Sequence, residues 1–152
     1  MNLDLLTTEA SSKPEKEWES NGRFWEDYIF KAFFNKEEVG YLRISRVLNQ
    51  VGKSSDFYFL DFSRKKPIPK PYISFQRVYE RFRGNGICGN LIILANEFYH
   101  EKLGSNLYSD TLFCDGGKIS KKPWLKLEKQ RLVVYEPYFY EENNKHDRWR
   151  VL

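Results

Sequence analysis

Three glycines lie close together in the middle of the chain, within the stretch RVYERFRGNGICGN at positions 77–90. Gly84, Gly86 and Gly89 follow Arg83 and come just before an apolar run with helical spacing. Glycine lets the backbone approach a ligand closely, and the first N–H groups of a helix have no intrahelical acceptor. These residues therefore favour one kind of chemistry, the binding of an anion such as a phosphate group at the start of a helix.

The literal spacing of these glycines also matches a dinucleotide-binding fingerprint. Gly84-x-Gly86-x-x-Gly89 has the required form, and Asp110 lies about 20 residues further on, where that fingerprint needs an acid. A dinucleotide-binding loop follows the first strand of a repeating strand–helix array, whereas here about half of the chain comes before the loop. The motifs of P-loop proteins and protein kinases do not occur nearby. The context therefore argues against a dinucleotide site.

The elements that position the loop can be predicted from hydrophobic periodicity and turn residues. Residues 24–34 and 39–47 are rich in β-branched and aromatic residues and predict an antiparallel hairpin. Strands are also predicted over 56–62 and 72–81, and the proline-rich stretch 63–71 between them predicts a loop. Residues 1–22 are polar and indicate no regular element beyond a short helix or a flexible arm.

A helix is predicted directly after the glycines. Five apolar residues fall on one face of this helix, namely Ile87, Leu91, Leu94, Ala95 and Phe98. The helix should end near Gly104. A strand at 106–110, a loop at 111–119 and a helix around 120–130 should follow, and the strands 131–140 and 147–152, joined by a turn, should end the chain. The strand, helix and strand around the glycines should form a parallel unit.

Length and composition narrow the classes of function. A chain of 152 residues with 41% hydrophobic residues suits a single domain, which we expect over 23–152. Cys88 and Cys114 with two histidines indicate a reduced protein without a zinc site, and no metal is expected. No apolar run is long enough to span a membrane, so we expect a cytoplasmic protein without a membrane partner.

The stretch VYERFRGNGICGNLI resembles the acyl-CoA-binding motif of the GNAT superfamily of N-acetyltransferases. That motif is Arg/Gln-x-x-Gly-x-Gly/Ala, and here it corresponds to Arg83, Gly84, Asn85, Gly86, Ile87 and Cys88. Val78 and Leu91 stand where the family has them, and Cys88 is larger than the usual glycine or alanine. The resemblance implies an α/β (α+β) fold with a mixed sheet, antiparallel at first and then parallel around an acyl-CoA-binding helix, with a C-terminal hairpin.

A second part of the chain extends the resemblance. Tyr108-Ser109-Asp110, a spacer and then Trp124 and Leu127 resemble the ending of one branch of the family that is common in phages and bacteria. The resemblance implies acetyl-CoA as co-substrate, with its pyrophosphate at residues 84–89, its pantetheine along residues 76–80 and Trp124 beside it. The implied partner is an amine acceptor, which is a small molecule, a protein or an aminoacyl-tRNA. The resemblance also leaves open whether the protein forms a homodimer.

The resemblance does not identify the general acid or base. Trp124 occupies the place where the family commonly has a tyrosine that acts as general acid for the departing thiolate. Tyr108 and Tyr135 are therefore the candidate general acids. Glu80 is the first candidate base, because it shares a strand face with Gln76 and Val78. Asp110, Asp61 and a water chain are the other candidates.

Two other functions remain open from the sequence. A protein that binds coenzyme A without turnover would explain the missing tyrosine. A nucleic-acid-directed modifier would suit the isoelectric point of 9.0 and the lysines on the second helix, although the net charge of +4 is mild.

Overall fold

The computed structural model describes residues 1–20, 23–48, 58–61, 66–110, 120–141 and 144–152. The strands, in chain order, are β1 Thr7–Ala10, β2 Lys16–Ser20, β3 Arg23–Phe34, β4 Glu37–Val47, β5 Tyr58–Asp61, β6 Lys66–Pro69, β7 Tyr72–Val78, β8 Tyr108–Ser109, β9 Val133–Tyr135, β10 Tyr138–Glu141, β11 Asn144–His146 and β12 Trp149–Val151. The helices are α1 Ile87–Tyr99 and α2 Lys122–Lys129, and short 3₁₀ turns cover Leu3–Leu5 and Glu80–Phe82.

The main sheet combines antiparallel and parallel pairing. Its strand order is β1-β3-β4-β7-β8-β12-β9, and β2 pairs with β3 beside β1. All pairs in this sheet are antiparallel except β7 with β8, which are joined through α1 and run parallel. The predicted fold class is a mixed sheet with antiparallel N-terminal strands, one parallel strand–helix–strand unit and a C-terminal hairpin. It is confirmed, and β9 and β12 form the antiparallel C-terminal pair.

The predicted hairpin at 24–47 is formed by β3 and β4. Its two turn residues, Asn35 and Lys36, have φ angles of 51° and 65°. Two successive left-handed residues match the twist of the flanking strands and therefore give a tight connection. Tyr28, Phe30 and Leu42 on one face of this hairpin are buried in the core, where Tyr99 of α1 packs edge-on against Tyr28 and Phe30.

Several predictions about the strands differ from the structure. The predicted strand 72–81 ends at Val78, and the predicted strand 131–140 is divided into β9 and β10. Residues 1–22, for which no strand was predicted, contain β1 and β2, which pair with opposite halves of the outer edge of β3. The loop prediction for 63–71 is wrong over Lys66–Pro69, which pair with β5 in a separate two-stranded ribbon. Prolines are tolerated there because each strand of such a ribbon has a free edge. Residues 56, 57 and 62–65, and the predicted loop 111–119, lie outside the described residues.

The glycine-loop helix ends earlier than predicted. α1 stops at Tyr99, and the chain continues through turns to Gly104, which has a φ of 79°. Over the described ranges, neither α1 nor α2 is long and apolar enough to cross a membrane.

Candidate anion-binding cleft

The glycine loop has a backbone conformation that requires glycine at two positions. Gly84 and Gly86 have φ angles of 83° and 74°, which side chains with a Cβ rarely adopt. The loop is held by side-chain hydrogen bonds to the backbone: Nε of Arg83 donates to the carbonyl of Val78 at 3.0 Å, and Nδ2 of Asn85 donates to the carbonyl of Phe82 at 2.9 Å. The turn is therefore fixed before any ligand binds.

The start of α1 presents backbone N–H groups that the helix itself does not use. The first helical hydrogen bond joins the N–H of Asn90 to the carbonyl of Gly86 at 3.2 Å. The N–H groups of Ile87, Cys88 and Gly89 come before it and lack intrahelical acceptors. The N-cap residue Gly86 has no side chain that could cap the helix, and the first turn contains no acidic residue. The helix dipole and these N–H groups together favour an anion at this position.

The two parallel strands beside the loop separate soon after they meet. β7 pairs with β8 only at Tyr72 and Ile73. On its other side the register with β4 shifts at the next residue, so Ser74 is a bulge. A bulge bends the strand and increases its twist, which is consistent with the separation that follows. Among the described residues, the β8 side of 74–78 has no strand partner.

A cleft of about 710 Å³ lies where the loop, the open side of β7 and α2 meet. Its lining contains three basic residues, Arg83, Lys122 and Lys126, and no acidic residue among the parts of the chain that are described. Eight of the nine residues predicted to bind the cofactor line it, namely Val78, Arg83, Gly84, Asn85, Gly86, Ile87, Cys88 and Gly89.

The rest of the lining is largely apolar and comes from distant parts of the chain. Leu3 precedes the first strand, Ile93 lies on α1, and Leu127 and Leu132 come from α2 and the residues after it. α1 and α2 lie close together at Gly89, where an added Cβ would make an ordinary contact with the side chain of Leu127 at 3.6 Å. No sequence pattern indicates that Leu3 belongs to this cleft.

Trp124, the ninth predicted residue, does not line the cleft. Its side chain is buried, and its indole Nε1 donates to Oε1 of Gln76 at 3.2 Å. Gln76 does line the cleft, and its Nε2 donates to the carbonyl of Ser120 at 2.9 Å. Trp124 therefore fixes the orientation of Gln76 and connects α2 to β7 from behind the cleft wall.

Cys88 gives the cleft a thiol that stays protonated at neutral pH. Burial raises the pKa of the Cys88 thiol to about 12. A neutral thiol at the helix start does not repel a bound anion, and it is a poor nucleophile because the thiolate is the reactive form.

The three predicted catalytic residues lie outside this cleft, in different places. Glu80 is exposed in the 3₁₀ turn before the loop and lines a shallow groove with Glu37 and Glu38. Tyr108 is buried at the β8–β12 pairing. Asp110 directly follows β8 and is partly exposed.

The environments of Tyr108 and Asp110 differ. Burial, with the nearby charge of Glu136, raises the pKa of Tyr108 to about 12. A phenol that holds its proton so strongly is a poor general acid for a departing thiolate, because the corresponding thiol has a pKa of only about 8.5. Asp110 lies near the hydroxyl of Tyr72, since burial and then the charge of Asp110 raise the pKa of Tyr72.

Tyr135, the other candidate acid, is used in a structural contact. The hydroxyl of Tyr135 donates to Oδ1 of Asp147 at 2.6 Å. Across the described residues, no three His, Cys, Asp or Glu side chains are grouped so as to hold a metal ion.

Comparison with known proteins gives a distant structural likeness. No family model matches the sequence, and no curated protein matches it. A solved structure of a mutant of the toxin AtaT, bound to the C-terminus of the antitoxin AtaR, is similar with a TM-score of 0.47 and 12% sequence identity. The similarity covers 80% of this chain and 65% of that chain.

Proposed function

We propose that the protein is an acyl-CoA-dependent N-acyltransferase that uses acetyl-CoA and an amine acceptor. The observation that carries the proposal is the cleft at the start of α1, which combines unused backbone N–H groups, three basic side chains and a long apolar wall. A ligand that suits it has a diphosphate at one end and an elongated, weakly polar arm at the other. Coenzyme A has this form, and the motif at Arg83–Cys88 supports the same assignment.

The residues of the cleft divide between these two parts of the ligand. The N–H groups at 87–89 and Arg83 would hold the diphosphate, because charge-assisted hydrogen bonds to phosphate are strong. Gln76 and Val78, on the open side of β7, would lie along the pantetheine arm. The free backbone groups of β7 can pair with the amides of this arm as a neighbouring strand would. Acetyl-CoA supplies the acyl thioester.

Asp110 is the base that the fold favours. Ser109 pairs with Ile73, so Asp110 comes at the register position opposite the Ser74 bulge, where the strands begin to separate. A carboxylate at this point can take a proton from an ammonium group, either directly or through one water. Glu80 lies in the shallow groove beyond the end of β7, further along the chain from the bulge.

The second candidate function is binding of coenzyme A without turnover. It is favoured by the lining of the cleft, which contains no Tyr, Asp, Glu or His among the described residues. The indole N–H of Trp124 is already bonded to Gln76. A binding protein needs no proton donor in the cleft, whereas an enzyme must protonate the departing thiolate from water or from another residue.

Release of free coenzyme A from acetyl-CoA separates the two functions. The purified protein is incubated with acetyl-CoA and a panel of amines that includes polyamines, lysine peptides and aminoacyl-tRNA, and the thiol is measured. Amine-dependent release supports the transferase. Tight binding of acetyl-CoA with no release above the buffer rate for any amine supports the binding protein.

A further inference from the structure

Two lysines of α2 face the glycine loop from the opposite side of the cleft. Lys122 and Lys126 are four residues apart and both line the cleft. Nζ of Lys126 lies 3.7 Å from the position that a Cβ on Gly86 would occupy. The other described lysines of this region do not line it: Lys121 pairs with Asp147 at 2.6 Å, and Lys129 is exposed elsewhere on the helix.

Among the residues that the structure describes, these two lysines have no counter-charge of their own. Neither forms an ion pair with any residue in the part of the chain that is described. Like charges four residues apart on a helix repel each other, so the pair weakens α2 unless an anion binds between them and the loop. Arg83, on the other side, donates through Nε to a backbone carbonyl and not to a carboxylate. Three cations therefore surround one space in which the described residues place no acid.

We propose that Lys126, assisted by Lys122, binds the phosphate groups of the ligand from the α2 side. The diphosphate would then lie between two helices, with the N–H groups of α1 on one side and the ammonium of Lys126 on the other. This makes α2 part of the binding site and not only its support. The inference rests on the proposed function, because it takes the ligand to be a coenzyme A thioester.

Calorimetric titration of three proteins with two ligands tests the assignment. The wild type, Lys126→Gln and the control Lys129→Gln are titrated with coenzyme A and with pantetheine, which lacks the phosphates. We expect Lys126→Gln to weaken coenzyme A binding about tenfold or more, the usual size of a lost charged hydrogen bond, and Lys129→Gln to change it less than twofold. Pantetheine should bind all three proteins alike, and added salt should weaken coenzyme A binding less in Lys126→Gln than in the wild type.

Several results would overturn the assignment. Equal effects of the two substitutions on coenzyme A, or an equal loss for pantetheine in Lys126→Gln, would show that Lys126 does not bind the phosphates. If the wild type fails to bind coenzyme A but binds inorganic pyrophosphate, and Lys126→Gln loses this binding, the proposed function fails while the anion site stands. If the wild type binds neither, both are wrong. Lys126 and Lys129 are both exposed, so circular dichroism should show that the wild type and the two variants are folded.

Discussion

At the scale of single residues, the loop depends on the left-handed conformation of Gly86. This residue caps α1 with a φ of 74° and lies between Leu3 and Lys126, which would be 3.9 Å and 3.7 Å from an added Cβ. A single methyl group would therefore fit, and the cost of a substitution there comes from the backbone and from the space that a ligand needs.

Gly86→Val should abolish coenzyme A binding with only a moderate loss of stability. The branched side chain points into the space where phosphate oxygens meet the helix N–H groups, and the left-handed backbone costs about 1–2 kcal/mol. Gly104→Val is the matched control, because Gly104 has a similar φ of 79° beyond the other end of α1. Both variants should lose similar stability in urea denaturation. Unchanged coenzyme A affinity in folded Gly86→Val would refute the pyrophosphate site.

Asp110→Asn should lower the rate of acyl transfer about 10²- to 10⁴-fold while the affinity for acetyl-CoA is kept. The loss should shrink as pH rises, because more of the acceptor amine is then already neutral. Steady-state kinetics from pH 6.5 to 9.5 would check this, with Glu80→Gln as the comparison. A full rate in Asp110→Asn together with a slow Glu80→Gln would instead assign the base to Glu80.

At the scale of elements, the open side of β7 depends on how closely β4 approaches its other side. Gly40 in β4 is buried opposite Val78, and a Cβ on it would lie 2.4 Å from the carbonyl oxygen of Arg77. No side chain fits there. The close contact therefore fixes the end of β7, and the 3₁₀ turn Glu80–Phe82 connects this end to the glycine loop.

Gly40→Ala should destabilise the protein by about 2–3 kcal/mol, because the added methyl forces two backbones apart. Urea denaturation followed by tryptophan fluorescence would measure it. Gly89→Ala is the control, since its Cβ would make only ordinary contacts with Leu127, and it should change stability by less than about 1 kcal/mol. A stability loss in Gly40→Ala no larger than in the control would contradict this account of the β4–β7 contact.

The sequence predicts the elements with strong periodicity and misses those whose partners decide their structure. The β3–β4 hairpin, β7 and the start of α1 follow from residue pattern and turn chemistry. Ile87, Leu91 and Ala95 are buried as predicted, but Phe98 is 39% exposed. Tyr99 is buried instead, because its ring packs against Tyr28 and Phe30 of the sheet. β1 and β2 have no hydrophobic alternation and form only because the edge of β3 is available to pair with them.

At the scale of the whole molecule, the cleft is assembled from segments far apart in the chain. Leu3, β7, α1, α2 and Leu132 all contribute to it. A local motif can predict the glycine loop, but only the folded chain brings the cations of α2 and Leu3 to the same space. The burial of Cys88 in this assembly also affects how stability depends on pH.

The free energy of unfolding should fall as pH rises above about 9. The pKa of Cys88 is raised from its ordinary value of 9.0 to about 12, and that of Tyr108 from 10.0 to about 12. Between these values the unfolded chain loses its protons before the folded chain does, so unfolding becomes more favourable with each step in pH. Urea denaturation at pH 8 to 11 measures the slope. Cys88→Ala should have a shallower slope, and an identical slope would mean that the Cys88 thiol is not buried as described.

Thermal unfolding with and without acetyl-CoA tests most directly whether the cleft binds a coenzyme A thioester. A ligand that binds only the folded state stabilises it by about 2.7 kcal/mol when its concentration is a hundred times Kd. We predict that acetyl-CoA raises Tm, that NAD does not, and that Gly86→Val removes the shift while Gly104→Val retains it. A rise in Tm with NAD and none with acetyl-CoA would contradict the assignment and restore the dinucleotide interpretation of the glycine loop.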